Sequence, residues 1–408
     1  MPHGDDLSEL SELLRTAGVA VVGQMVQHLD KPHPNTYIGP GKLEELIAMV
    51  KKLDANVVAT DDELSPRQER NLEQALEKVP VVDRTATILD IFADHAHSSE
   101  GKLQVELAQL QYNLARMRGL WTHLERLGGV SSGGFATRGP GESQIETDRR
   151  LARDRIAALK RRLVDVKSSR SVQRAERERA HLPQVALAGY TNAGKSTLLN
   201  ALTGSEVGVR DRLFHTLDPT TRTARFHGRA YLLTDTVGFI RKLPHQLVQA
   251  FGATLEETRI ADLILHVVDA SAEEQDRLEM LAAVEEVLEE IGAGDRPRLL
   301  VLNKVDALDD DARQELALHF PEGVLVSALT GEGMERLGDE IETAFRATLR
   351  NVDLLLPYAE GGRLAELHDI AGDLERTDTP EGVHVRARVP ATVAERFSRW
   401  AVNGLAAE

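Results

Sequence analysis

The sequence predicts an α/β chain in four parts: an N-terminal α/β domain (1–98), a long antiparallel helical hairpin (99–181), a doubly wound P-loop domain (182–350) and a small C-terminal α+β domain (351–408). Three observations carry this. Short apolar runs alternate with helical stretches through residues 7–97 and again from 182, the pattern of parallel strands joined by crossover helices. A leucine-rich seam stepping by four and three residues separates the two regions. The stretch GYTNAGKST stands between the apolar run 185–188 and the helix-like run 198–202.

In the first domain the runs 19–25, 56–59 and 79–82 are strand candidates, and residues 85–92 continue the alternation. Leu43, Leu46, Ile47 and Val50 share one helical face. Ser65 before Pro66 is a capped helix start, with proline where a missing N–H costs nothing. The conspicuous polar residues are His33, His95, His97, Asp61, Asp62 and Glu63. A spacing of two puts His95 and His97 on different helical faces, so the group reads as solvated surface and no catalytic constellation emerges.

The hairpin follows from Leu103, Leu107, Leu110, Leu114, Met117, Trp121 and Leu124, a heptad seam on one long helix. Ile145, Ala152, Ile156, Leu159, Leu163 and Val166 continue it on a second. Between them GGVSSGGFATRGPGE forbids helix and should project from the hairpin's tip. From residue 149 to 181 twelve Lys and Arg face four acids, a net +8 in a chain whose total is −16. Such asymmetry suits an RNA backbone, and Arg116, Arg118, Arg126 and Arg138 extend it toward the tip.

The third domain carries the chemistry. A strand feeding G-x-x-x-x-G-K-[ST] into a helix aims backbone N–H groups and the helix's positive end at a phosphate chain. The residues concerned are Gly189, Tyr190, Thr191, Asn192, Ala193, Gly194, Lys195, Ser196 and Thr197. Lys195 supplies charge to the β/γ oxygens, and Ser196 offers a hydroxyl to Mg²⁺. Downstream, Asp235, Thr236, Val237 and Gly238 end a strand, where a carboxylate holds a Mg²⁺-bound water and the Gly238 N–H meets a γ-phosphate. Asn303, Lys304, Val305 and Asp306 end another, and Ser327, Ala328 and Leu329 a third. Asp306 would accept from N1–H and the exocyclic amine of guanine, which adenine cannot reproduce.

Between these lies LFHTLDPTTR, the position of a first switch holding Phe214, His215, Thr216, Leu217 and Asp218. Thr216 is the second candidate hydroxyl for Mg²⁺, with Thr220 and Thr221 as rivals. After Gly238 stands Phe239, where related hydrolases use a glutamine to orient water. Phenylalanine cannot do this, so another residue, a partner or an ion must; Asn192 matches the asparagine of GTPases that bind K⁺ beside the phosphates. Lys242, Pro244, His245 and Gln246 lie on the segment expected to rearrange, and His245 reads as surface, since a loose transition state needs positioning more than a base. The tail adds strands near 352–356 and 383–389 and helices near 362–370 and from Thr392, without a motif.

Composition bounds the setting. The acidic start MPHGDDLSEL and the absence of an apolar run near ~20 residues predict no leader and no membrane span, hence a cytoplasmic chain. Zero cysteines exclude disulfides and thiol catalysis.

The strings GYTNAGKST, TLDPTTR and LLTDTVGFIRKLPHQLVQAF resemble the HflX ribosome-associated GTPases, within the translational-factor-related P-loop GTPases. KPHPNTYIGPGKLEEL, DDELSPRQERNLE, DRTATILDIFA, EGKLQVELAQLQY and TRGPGESQIETDRR extend the likeness over most of residues 18 to 270. The resemblance implies a Mg²⁺-dependent GTPase, cycling between GTP and GDP, that binds the large (50S) ribosomal subunit and the 70S ribosome. The hairpin would enter near the peptidyl-transferase region, and the factor, a monomer, would split or rescue stalled ribosomes under stress. The alternatives are a GTP-dependent assembly checkpoint on immature large subunits, or a GTPase coupled to RNA modification.

Overall fold

A computed structural model of the chain describes residues 7–127, 140–179, 182–204, 213–214, 219–242, 252–346, 349–371 and 374–402. It divides into two units: Met1–Val166 with Arg212–His215 and Leu243–Phe251, and Lys167–Asp211 with Thr216–Lys242 and Gly252–Glu408.

In the first unit, helix α1 (Ser8–Thr16) buries Leu10, Leu13 and Leu14. The predicted strand at 19–25 is not formed: these residues join no strand ladder, and Val21 and Val22 are exposed. Apolar content marks a strand only where a neighbour offers backbone partners. Helix α2 (Pro40–Leu53) opens on proline and stops at left-handed Asp54. Strands β1 (Val58–Thr60) and β2 (Val81–Asp83) pair in parallel around helix α3 (Pro66–Ala75). Ser65 and Gln68 close a reciprocal capping box at its start.

Asp83 caps helix α4 (Arg84–His95), accepting from the Ala86 N–H at 2.8 Å. Buried at 2% exposure, it also takes the Leu64 N–H, the Tyr112 hydroxyl and the Arg116 guanidinium. Arg116 stacks on the Tyr112 ring at 3.6 Å and bonds Glu69. It is therefore a structural cation, and the expectation that it extends a basic face is corrected. Two of the three acids are corrected too: Asp61 pairs with buried Arg84 at 2.7 Å and Asp62 accepts from the Tyr37 hydroxyl, while Glu63 is exposed as expected. An unpaired buried guanidinium would be costly, and Glu9 with Asp61 offsets that cost.

Helix α5 (Ser99–Leu127) and helix α6 (Pro140–Arg179) form the two long helices. Leu103 and Leu107 pack on Leu159 and Leu163, with Leu110, Ile156 and Val166 alongside. Each buried leucine contributes about 1.5–3 kcal/mol. Pro140, read as part of the breaker loop, begins α6, since proline fits a first helical turn. Gly141 and Glu142 continue that helix; residues 128–139, Arg138 included, lie outside the described residues, as do the side chains of Met117, Arg118, Trp121, Leu124, Arg126 and Ile145.

The second unit is built on a six-stranded sheet in which β3 (Gln184–Gly189) is flanked by β5 (Arg229–Asp235) and β6 (Leu263–Asp269). Strands β7 (Arg298–Asn303) and β8 (Val324–Leu325) continue it in parallel, while β4 (Thr220–Phe226) lies antiparallel on the β5 edge. Helices α7 (Lys195–Thr203) and α11 (Met334–Arg346) supply Leu198, Leu199, Leu337 and Ile341 to the core on one face, against Leu187, Tyr231, Leu265 and Val301. Helices α8 (Gly252–Ile260), α9 (Glu274–Glu290) and α10 (Asp310–His319) complete the crossovers. Beyond it, β9 (Leu349–Leu356), β10 (Glu375–Thr379) and β11 (Gly382–Pro390) form an antiparallel sheet. Its core is closed by α12 (Gly361–Ala371) and α13 (Ala391–Phe397). The Arg229 Nε–H donates to the Ile370 carbonyl at 3.0 Å, tying the β4–β5 turn to α12.

Candidate nucleotide site

The loop after β3 is made of backbone exceptions. A Cβ on Gly189 would lie 2.2 Å from the Val267 carbonyl oxygen, so only glycine lets β3 approach β6 this closely. Asn192 (φ 60°) and Gly194 (φ 88°) are left-handed, which these two residue types tolerate best. Lys195, the first residue of α7, is buried and donates to the Gly189 and Tyr190 carbonyls at 3.0 and 2.8 Å. Burial pushes its ammonium down to about 8, against the opposing charge of Asp235. An ammonium desolvated this far is stabilised by an anion, and the Thr191 hydroxyl, buried without a hydrogen-bond partner among the described residues, adds an unused donor. The cradle fits a phosphate chain.

Ser196 donates to Asp235 Oδ2 at 2.5 Å. A hydroxyl and a carboxylate side by side at a helix start are the hard oxygen donors that Mg²⁺ prefers. Thr236 donates to the Leu187 carbonyl, and Val237 is buried, which fixes the path of the chain up to Gly238. Both rivals to Thr216 lie in β4: Thr220 is opposite Asp235, and Thr221 is bonded to Thr234 at 3.0 Å. Thr216, His215, Leu217 and Asp218 lie outside the described residues, with Pro244, His245 and Gln246.

On the base side, Asn303 donates to the Ala193 carbonyl at 2.9 Å and accepts from the Ala328 N–H at 3.0 Å. Asp306 is exposed, with Oδ1 held by the Ser327 hydroxyl at 2.6 Å. Lys304, left-handed at φ 69°, rests its ammonium on Asp269, and the Val305 N–H donates to the Val326 carbonyl. Leu329 is 80% exposed. Thr197 sits in the first turn of α7. Four sequence motifs thus meet at the carboxyl ends of the parallel strands, where open α/β sheets bind ligands.

Residues 184–304 match the family described as "50S ribosome-binding GTPase", residues 4–93 "GTP-binding GTPase N-terminal" and residues 95–177 "GTP-binding GTPase Middle Region". A GTPase HflX of Lacrimispora saccharolytica is 47% identical over 97% of this chain and 92% of that protein. The chain belongs to the HflX GTPase family. The HflX of Escherichia coli K12 is 44% identical over 95% of this chain and 90% of its own length. A GTP-binding protein of the archaeon Sulfolobus solfataricus, solved in complex with GDP, is 27% identical over 84% of this chain and 96% of its own, with a TM-score of 0.42.

As an HflX-family GTPase the protein hydrolyses GTP, and several of its contacts were not read from sequence. Phe239 is 1% exposed, so its ring is packed away and does not reach water. Within the first unit, Phe214 is buried and meets Phe92 of α4 edge-on, ring centroids 4.6 Å apart. The available signal was an aromatic residue inside a polar switch sequence. Among the described residues no helix is long and apolar enough to cross a membrane.

His266 on β6 is 4% exposed, and its Nε2 has no hydrogen-bond partner among the described residues. Burial, then the charges of Arg298 and Lys195, push it down to about 4. The unfolded chain, at an ordinary value near 6.5, takes a proton that the folded chain refuses. Stability is therefore lost as pH falls from about 6.5 to 4, by on the order of 3 kcal/mol. His266→Leu should flatten that loss in urea unfolding at pH 7 and pH 5; an unchanged slope would assign it to other groups.

Proposed function

We propose that this GTPase binds the large (50S) ribosomal subunit and the 70S ribosome through its long helices, and that its GTP cycle splits or rescues stalled ribosomes under stress. It would act as a cytoplasmic monomer. The observation that carries the reading is the basic face of α6: Arg150, Arg153, Lys160, Arg161 and Arg162 are all exposed, in a chain of net charge −16. Exposed guanidinium groups along one helix suit the phosphates of ribosomal RNA. The family description of residues 184–304 as a 50S ribosome-binding GTPase supports the same partner. Under this reading the parts are the N-terminal domain (1–98), the hairpin (99–181), the GTPase domain (182–350) and the C-terminal domain (351–408).

In the cycle, Lys195 would bind the β/γ oxygens, Ser196 and Thr216 would hold Mg²⁺, and Asp235 its water. Asp306 would read guanine, with Lys304 and Ala328 beside it. Mg²⁺ supplies charge compensation at the transferred phosphoryl group. Because Phe239 is buried, the ribosome would complete the hydrolytic site. Hydrolysis should rise on adding 50S subunits, and replacing Arg150, Arg153 and Arg161 by Glu should lower the salt slope of subunit binding by about 2 to 3. An unchanged slope would remove α6 from the interface.

A K⁺ ion beside the phosphates is a further component of this reading. The left-handed backbone at Asn192 already gives the asparagine a conformational reason, so equal hydrolysis rates in K⁺ and Na⁺ would dispose of the ion. The second reading, an assembly checkpoint, is separated by sedimentation with a non-hydrolysable GTP analogue: free subunits from 70S ribosomes favour splitting, and selective binding to precursor particles favours assembly.

A further inference from the structure

Past Asp235 the chain leaves β5, yet it returns at once to the P-loop. The Phe239 N–H donates to the Gly189 carbonyl at 3.1 Å, and the Phe239 carbonyl accepts from the Thr191 N–H at 2.8 Å. Between those two loop residues stands Tyr190, 6% exposed, whose hydroxyl accepts from the Arg241 N–H at 2.9 Å. The Arg241 guanidinium is held in turn by Glu279 of α9. These contacts press Gly238 onto the loop. A Cβ on Gly238 would lie 2.8 Å from Thr191 Cγ2 and 3.2 Å from Lys195 Nζ.

We propose that Tyr190 is a positioning residue for the second switch: its hydroxyl clamps the conformer in which Gly238 lies against Lys195, and a γ-phosphate must open that clamp to bind. Lys195 has to reach β/γ oxygens, and the Gly238 N–H has to face the γ-phosphate. Even a methyl group on Gly238 would crowd the ammonium, which leaves too little room between the two for a γ-phosphate. GDP makes no such demand and leaves the clamp closed. The hydroxyl therefore weighs GDP against GTP without touching either nucleotide. Its share is one side-chain hydrogen bond to a backbone N–H, a factor of about three to ten in the equilibrium between the two conformers.

Tyr190→Phe keeps the buried ring and removes the hydroxyl that accepts from the Arg241 N–H. With the full chain and Mg²⁺, equilibrium titrations of GDP and of a non-hydrolysable GTP analogue are compared in both proteins. The ratio of analogue Kd to GDP Kd should fall about three- to tenfold in the variant, because the binding-competent conformer is more populated. A ratio within twofold of wild type, or two affinities that shift together, would reduce Tyr190 to packing. Hydrogen exchange of the Arg241 amide in the unmodified protein gives a second reading that no folding defect can obscure. Strong protection with GDP and faster exchange with the analogue support the clamp; equal protection in both overturns it.

Discussion

Lys195→Met should lower the rate of GTP hydrolysis by about a hundredfold to a thousandfold, the loss typical of removing a preorganised charge from a transition state, without lowering the stability of the nucleotide-free protein. The two halves of this result have one cause. Lys195 is buried, which pushes its ammonium down to about 8. The folded state binds that proton less firmly than the unfolded chain, whose lysine sits near 10.5. Wild-type stability should therefore rise as pH climbs from about 8 to 10.5, and the variant should lack that rise. Thermal melts at pH 7.5 and 9.5, beside a hydrolysis assay, check both halves. A variant melting far below wild type at pH 7.5 would make the lysine a structural residue instead.

Gly189→Ala should be more destructive, with a loss of about 4 kcal/mol or more and failure of the second unit to fold. The added methyl would stand 2.2 Å from the Val267 carbonyl oxygen and 3.1 Å from its carbon. Both are backbone atoms of a central strand, so relief requires parting β3 from β6, the pair at the middle of the sheet. Gly41→Ala in α2 is the matched control, since nothing lies within 4 Å of its added Cβ. Urea unfolding of the two variants should differ by several kcal/mol. Similar values would mean that the sheet yields to the extra atom.

Much of this was legible in the sequence, for a physical reason. Strand β3 (Gln184–Gly189) contains the apolar run 185–188, and helix α3 (Pro66–Ala75) starts where Ser65 and Pro66 place it. Within the described residues the seam packs α5 on α6 through Leu103, Leu107, Leu110, Ile156, Leu159, Leu163 and Val166. What periodicity missed was polar strand. In β4 (TTRTARF) and β10 (ERTDT), at the edges of their sheets, one face stays in water and no apolar run forms. Burial of charge was equally hidden. Arg116 and Asp61 look like surface residues until α5 and α4 bring them to Asp83 and Arg84, because pairing depends on tertiary neighbours that spacing does not encode. At the nucleotide site the residue types were readable, whereas the contact of Tyr190 with Arg241 was not; nor, within the first unit, was that of Phe214 with Phe92.

Asn303 joins the loop proposed to cradle phosphate, through Ala193, to the loop proposed to flank the base, through Ala328. One amide thus serves as a common brace, and grip at either end stiffens the other. Under that proposal, base and phosphate affinities should not be separable quantities in this pocket. Substitutions in the Ala193 and Ala328 loops should combine non-additively, with Asn303 as the term that couples them, and a guanosine fragment bound alone would sharpen the loop for phosphates it does not carry.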